Sequence, residues 1–457
     1  MNDIQEAHFV AREMLPKGRY EGRLSVGVAR HLSRCLAGTS LPSSLKMDVS
    51  VESTIALSLF LQSLSKQSSL DELYWHSALP LECLHILPDC FMPFQLSVLH
   101  VRVERPWEET PSETISDAFR RLSRIPTSTL RISLSPGWHT IQPLLQGLHA
   151  ERLENGRHPR VSLSIHYNNE FMWCTAAHHI RSFEIIESLE VIGGVWGPAS
   201  WSGLISCLLT SSLDSLTLSQ ARLADKTPSS ALIQSLRQAL LDTKLGEMNL
   251  VNVDGSGQGG SLSMVEVLLA SMTCHRQVDP TDPLEVTVSH CKLKSLTLKV
   301  KPSNAFGGSS DYALAIYTSL ARRLPHMQTV RRLRTGLYPA TFSFLWQAVC
   351  ENESLLCADL GTSTSPLLEL LLERNRLIQS TRNFCCGKRT MGEALEYASN
   401  HGLLDAPPSS CEGSITASAA YWLVRACLPP NIQECQESEQ LGYTQERKST
   451  TDMKMED

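Results

Sequence analysis

Leu213-x-x-Leu216-x-Leu218, Leu245-x-x-Met248-x-Leu250 and Leu293-x-x-Leu296-x-Leu298 are one six-residue phrase written three times, with apolar residues at relative positions 1, 4 and 6. A short strand preceded by a bend can bury all three on one side, which leaves positions 3, 5 and 7 on the other. Working outward, the phrase returns as Leu70-x-x-Leu73-x-Trp75, Leu96-x-x-Leu99-x-Val101, Ile186-x-x-Leu189-x-Val191 and, with a small residue in the middle, Leu355-x-x-Ala358-x-Leu360. Weaker echoes carry Leu45 and Met47, Leu130 and Ile132, Val161 and Leu163, and Val330 with Leu333 one place late. The starts fall at 42, 70, 96, 127, 158, 186, 213, 245, 293, 327 and 355, so most steps are 26 to 34 residues and one is 48. Self-similarity at such a period marks a chain built by stacking short units.

The intervals supply helices. Residues 53–64, 112–122, 200–209, 229–241, 311–324 and 341–349 carry apolar residues at three- and four-residue spacing. Several begin at Ser, Thr or Asp, which can accept a hydrogen bond from a first-turn amide, or just after Pro. Strand then helix, ten or eleven times, predicts an α/β solenoid with strands at 45–49, 71–76, 97–102, 130–134, 161–165, 188–192, 214–218, 246–251, 294–299 and 356–360.

The pattern resembles the ribonuclease-inhibitor-like class of leucine-rich repeats over about residues 40 to 380. That resemblance implies a horseshoe, with a parallel sheet on the concave side and helices on the convex side. The class places Asn or Cys three residues after the last strand leucine and an apolar residue two further on. Ala221 and Leu223 fit in relaxed form, and Ala78 fits the first place, but the asparagine ladder is otherwise absent, which predicts irregular turns.

The ends differ from the middle. Residues 1–40, with the helical phrase at 26–36, are expected to form an N-terminal helical cap; 41–380 the solenoid; 381–428 a C-terminal helical cap; and 429–457 a polar, disordered tail. Ser354 to Ile378 reads as a final strand and a leucine helix ending in Arg374-Asn375-Arg376. The long step after Leu245 predicts a helix at 262–272 and then a projecting loop, Cys274 to Pro283, whose two prolines and three charges do not suit a strand.

A hydrophobic fraction of 42% is enough for a continuous core, and the net charge of −6 argues against a general binder of nucleic acid or anionic membranes. The first ten residues contain acids and no apolar run, unlike a signal peptide, and no stretch has the length of a membrane span. The 14 cysteines are scattered through helix and strand phrases and read as free thiols of a reducing compartment, cytoplasmic or nuclear.

Motifs for chemistry are incomplete. Gly255 to Gly260 is glycine-rich but lacks the Gly-Lys-Ser/Thr ending of a phosphate loop. Cys174, His178 and His179 lack a second pair of metal ligands, and His139, His149, His158 and His166 have no nucleophile beside them in a recognisable turn. The sequence therefore predicts no enzyme, cofactor or metal.

What remains is the outward strand face. Its N-terminal side carries the larger groups Glu72, Tyr74, His76, His100, Arg102 and Arg131, and further on it is rich in small hydroxyls. Aromatic and arginine anchors supply most interface energy, so these six are the candidate partner-binding residues of a monomeric protein-binding scaffold. Tyr74 and Arg102 are expected on neighbouring strands about 5 Å apart. The plain alternative is a solvated sheet with function in loops or tails. The resemblance also implies two other roles. A regulator of a small GTPase would need an exposed Arg or Asn on a strand-to-helix loop. A substrate-recognition subunit of a ubiquitin ligase would need a longer helical module than residues 1–40.

Overall fold

The computed structural model describes residues 3–376 except 37–40, 65–69, 92–95, 156–158, 211, 225–229, 254–263, 273–274, 279–285, 290–291, 300–308, 328, 336–341, 353, 361–367, 370 and 374. The chain divides into two compact units, Met1–Val349 and Cys350–Asp457.

In the first unit the strands are β1 (Arg19–Leu24), β2 (Ser44–Val51), β3 (Glu72–Leu79), β4 (Leu96–Val103), β5 (Thr127–Leu134), β6 (Arg160–His166), β7 (Ile186–Ile192), β8 (Val195–Trp196), β9 (Ser215–Ser219), β10 (Arg222–Leu223), β11 (Glu247–Val251), β12 (His275–Val278), β13 (Val286–Ser289), β14 (Ser295–Lys299) and β15 (Arg332–Thr335). β1 to β7, then β9, β11, β14 and β15, join in chain order into one parallel sheet. Parallel neighbours need a crossover each time. α1 (Asp3–Phe9) precedes β1, and the main crossovers contain α2 (Val26–Cys35), α3 (Thr54–Leu64), α4 (Leu81–Leu84), α5 (Leu87–Phe91), α6 (Ser112–Leu122), α7 (Gln142–Asn155), α8 (Glu170–Phe183), α9 (Pro198–Leu208), α10 (Ser230–Asp242), α11 (Met264–Met272) and α12 (Ser309–Arg323).

The repeated phrase explains the packing. One inward row runs in register through Tyr20, Met47, Trp75, Val101, Ile132, Leu163, Leu189, Leu216, Met248, Leu296 and Leu333. Trp75 and Val101 are 1% exposed and Leu216 is 0% exposed, so the row is the core of the stack. Between β6 and β7 the phrase slips by two places, since Leu163 at its sixth position meets Leu189 at its fourth. From Ser162 and Ser188 onward this even slip keeps side chains on their faces, whereas an odd one would turn the apolar set outward; a one-residue shift between Val161 and Ser162 precedes it.

The helices cover the inward face. Apolar residues of α3 (Ala56, Leu57, Phe60, Leu61) and α6 (Ile115, Ala118, Phe119, Leu122) are buried. Ser25 and Asn169 cap α2 and α8 by accepting from the Val28 and Met172 amides at 3.0 and 2.9 Å, which satisfies otherwise unpaired first-turn N–H groups. At the ends of β7, β9 and β11 the chain turns through left-handed residues, Gly193, Gln220 and Asn252. Each donates its amide to the last carbonyl of the next strand, at 2.6, 2.9 and 2.7 Å. The same left-handed turn and hydrogen bond thus recur at three neighbouring strands of the sheet. No described helix is long and apolar enough to cross a membrane.

Three expectations need correction. Residues 1–40 are not only helical, because β1 lies between α1 and α2 and pairs with β2. The late echo at Val330 and Leu333 also forms a strand of the sheet, β15. The segment from Cys274 does not begin as a bare loop: β12 pairs antiparallel with β13, a hairpin apart from the main sheet. A lone antiparallel pair needs only one paired edge per strand, so it forms without a place in the main sheet. Pro280 and Pro283 lie outside the described residues.

In the second unit β16 (Cys357–Asp359) sits between two buried polar residues. Asn375, fully buried, donates its side-chain amide to the carbonyls of Asn352 and Leu355, both at 2.8 Å. The Asn352 side-chain oxygen in turn accepts from the Ser354 and Leu355 amides, both at 2.9 Å. The expected cap at 381–428, the expected tail at 429–457, the glycine-rich segment 255–260 and His158 lie outside the described residues.

Candidate partner-binding face

Alternation along β3, β4 and β5 turns Leu73, Trp75, Leu99, Val101, Leu130 and Ile132 inward. It turns Glu72, Tyr74, His76, His100, Arg102 and Arg131 to the opposite face, where His76 and Arg131 are exposed and the other four are partly exposed. All six sequence-derived candidates thus share one surface.

The register sets who meets whom. Tyr74 lies across from His100, and His100 across from Arg131. Arg102 lies across from Ala78, because the register shifts between Trp75 and Ala78 and carries His76 and Ser77 out of the ladder. The expected Tyr74–Arg102 pair is therefore a diagonal one, with His100 as the direct neighbour of Tyr74. Three rings cluster at the bulge. Tyr74 stacks on His76 with centroids 6.3 Å apart, and both meet His100 edge-on at 6.0 and 5.5 Å.

Charge and burial tune these rings. The Tyr74 hydroxyl donates to Glu72 Oε2 at 3.3 Å, and burial followed by the Glu72 charge raises its pKa. His100 Nε2 is 2.9 Å from Ser133 Oγ. Burial, followed by His76, Arg131 and Arg102, pushes the His100 imidazole down to about 4. A serine beside a histidine invites comparison with a nucleophile and its base. Proton transfer would leave an imidazolium, which a general base needs its surroundings to favour. Here burial and cationic neighbours disfavour it, so the pair suits hydrogen bonding better than serine activation.

Sequence reasoning missed three members of the face. Arg19 and Lys46 lie in the same register row as Tyr74, through Arg19–Lys46 and Lys46–Tyr74 pairing. Lys46 was legible as the polar residue between Leu45 and Met47, whereas Arg19 sits in a strand of the chain's start whose phrase Gly22 interrupts. His166, read as a dispersed histidine, lies at the end of β6, where burial and then Arg102 lower its pKa against an opposing effect of Glu190.

The other candidates do not converge. His178 and His179 are adjacent rings on α8, Cys174 Sγ donates to the Ala199 carbonyl at 3.2 Å, and His139 contacts the Arg105 guanidinium. Among the described residues no group of three His, Cys, Asp or Glu could hold a metal ion. A cleft of about 630 Å³ opens where β6, β7 and β9 begin. Its cations are already engaged: Arg160 pairs with Glu187 at 3.7 Å, and Arg152 donates to the Glu184 carbonyl at 3.0 Å. In comparisons with known proteins the chain matches no family model and no curated protein.

Proposed function

We propose that this protein is a non-catalytic interaction scaffold of the ribonuclease-inhibitor-like leucine-rich-repeat kind, which binds a protein or peptide partner on the concave side of a horseshoe. The observation that carries this reading is the gathering of Tyr74, His76, His100, Arg102 and Arg131 on one open sheet face. A sheet that needed only solubility could be covered by small hydroxyls, as it is at Ser162, Ser188 and Ser215 in register with Arg131. Large aromatic and arginine side chains there supply the area and directional hydrogen bonds of interface anchors. Regulation of a GTPase gains less support: Arg105, on the loop after β4, is engaged by Glu108 at 2.8 Å.

Affinity capture from native extract with wild-type protein and with Tyr74→Ala/Arg102→Ala tests the reading. A partner held by the wild type should be held roughly tenfold more weakly or worse by the variant, from about 1–2 kcal/mol of lost anchor energy. Equal recovery with the fold intact would move binding to the loops or the C-terminal segment.

A further inference from the structure

We propose that the row Arg19, Lys46, Tyr74, His100 and Arg131, with Arg102 beside it, holds an extended carboxylate-rich segment of a partner protein. This deepens the scaffold reading and rests on it. The five row residues stand side by side on β1 to β5 through direct register pairs. Strands about 4.8 Å apart give a row of about 19 Å, the length of about six extended residues. The strands β2 to β5 are paired on both sides, so the occupant would be held by side chains and would not add to the sheet.

Charge complementarity selects the occupant. Among the described residues, the side chains of Arg19, Lys46, Arg102 and Arg131 make no ion pair or hydrogen bond. The acids nearby keep their charge but lie off the row: Glu21 and Asp48 face each other across β1 and β2, Asp48 accepting from Ser77 Oγ at 2.6 Å, Glu72 accepts from Tyr74, and Glu52 pairs with Arg23. Glu21 stands between Arg19 and Arg23 on the terminal strand. Cations thus stand at both ends of the row, in excess at the Arg102 and Arg131 end and balanced by Glu21 and Asp48 at the other, with aromatic surface at its centre. Guanidinium forks bind carboxylates through paired, charge-assisted hydrogen bonds. Four cations on a chain of net charge −6 are too few for the long basic stripe that a nucleic acid requires.

The test is fluorescence anisotropy with a fluorescein-labelled peptide of about six glutamates flanked by glycines, matched to the row length, alongside the equivalent glutamine peptide. The glutamate peptide should bind saturably and more weakly as salt rises, and the glutamine peptide should not bind. Arg102→Ala should weaken binding by about tenfold. Arg102→Glu with Arg131→Glu should abolish it, while Arg34→Glu on α2 leaves it unchanged. Melting curves of each variant establish that the fold is retained. Equal binding of the two peptides, or an equal loss in Arg34→Glu, would overturn the proposal. So would binding of a phosphoserine peptide where the glutamate peptide fails, which would assign the row to phosphate. If the glutamate peptide fails while Tyr74→Ala/Arg102→Ala still releases a captured partner, only the acidic chemistry falls. If that variant also retains the partner, the scaffold reading falls with it.

Discussion

The His100 imidazole stands 2.9 Å from the Ser133 hydroxyl on the next strand, and the charges that act on it are His76, Arg131 and Arg102, none of them an acid. The folded state therefore holds His100 neutral down to about pH 4, whereas an unfolded histidine takes up its proton near 6.5.

A pH dependence follows. As pH falls from about 6.5 toward 4, the unfolded chain binds a proton that the native state refuses, so stability should drop, by at most about 3 kcal/mol from this group. Below the folded value the effect levels off. His166 and His179, also lowered, act in the same direction. Urea titrations across this window should show a shallower decline for His100→Gln, and an unchanged slope would refute the assignment.

Trp75 supplies a second prediction. It is 1% exposed, and its indole nitrogen has no hydrogen-bond partner among the described residues. Trp75→Phe keeps aromatic bulk and removes an unpaired donor, so it should lose about 1 kcal/mol or less. Trp75→Ala leaves a void between Met47 and Val101 and should lose about 3–5 kcal/mol. If thermal denaturation ranks the two alike, the indole N–H has an acceptor in solution.

How much of this was legible in the sequence depends on what each feature needs. The apolar phrase locates a strand, because alternation is local: Leu73, Trp75, Leu99 and Val101 are inward as their spacing requires. β1 escaped because Arg19–Leu24 offers only Tyr20 and Leu24 as inward residues, with Gly22 between them. The hairpin of β12 and β13 escaped because it follows no repeat. The six site residues were legible as a face, but their contacts were not. A bulge at His76 and Ser77 decides that Arg102 meets Ala78, and nothing in the spacing of leucines encodes that bulge. His100 and Ser133 sit at different positions of their phrases, so their contact depends on geometry between strands.

The insert makes a third prediction. Because β12 and β13 form a two-stranded sheet of their own among the described residues, replacing residues 275–289 by a short flexible linker should shift the melting temperature by no more than a few degrees. Deleting only Arg276 to Asp282 removes most of β12 and leaves β13 as an unpaired edge, which favours aggregation. Light scattering on heating should separate the two variants. A large loss of stability in the full replacement would show that the hairpin supports the main sheet.

Gly147, in the middle of α7, tests the packing of α6 on α7. On helix propensity alone, Gly→Ala in a helix interior gains about 1 kcal/mol. Here an added Cβ would collide with the Ser116 carbonyl oxygen and reach the Arg120 amide nitrogen at 3.0 Å, both rigid backbone of α6. Gly147→Ala should therefore destabilise, by about 1–3 kcal/mol as for overpacked cores. A rise in melting temperature would mean that the two helices can part without loss.

Asn375 gives the sharpest contrast between two small substitutions. Its side-chain amide donates to the carbonyls of Asn352 and Leu355, and the residue is fully buried. Asn375→Ala leaves both carbonyls without that donor and should destabilise the second unit by about 1–3 kcal/mol. Asn375→Asp is nearly isosteric, but at neutral pH it places a carboxylate where the amide nitrogen faced two carbonyl oxygens. Burial and repulsion then favour its protonated form, so its pKa should rise well above the ordinary aspartate value of about 3.9. The Asp variant should be less stable than the Ala variant at pH about 8 and should recover toward it as pH falls, when the protonated acid can donate one hydrogen bond. Equal stability of the two variants at every pH would mean that Asn375 acts through its volume and not through its donated hydrogen bonds.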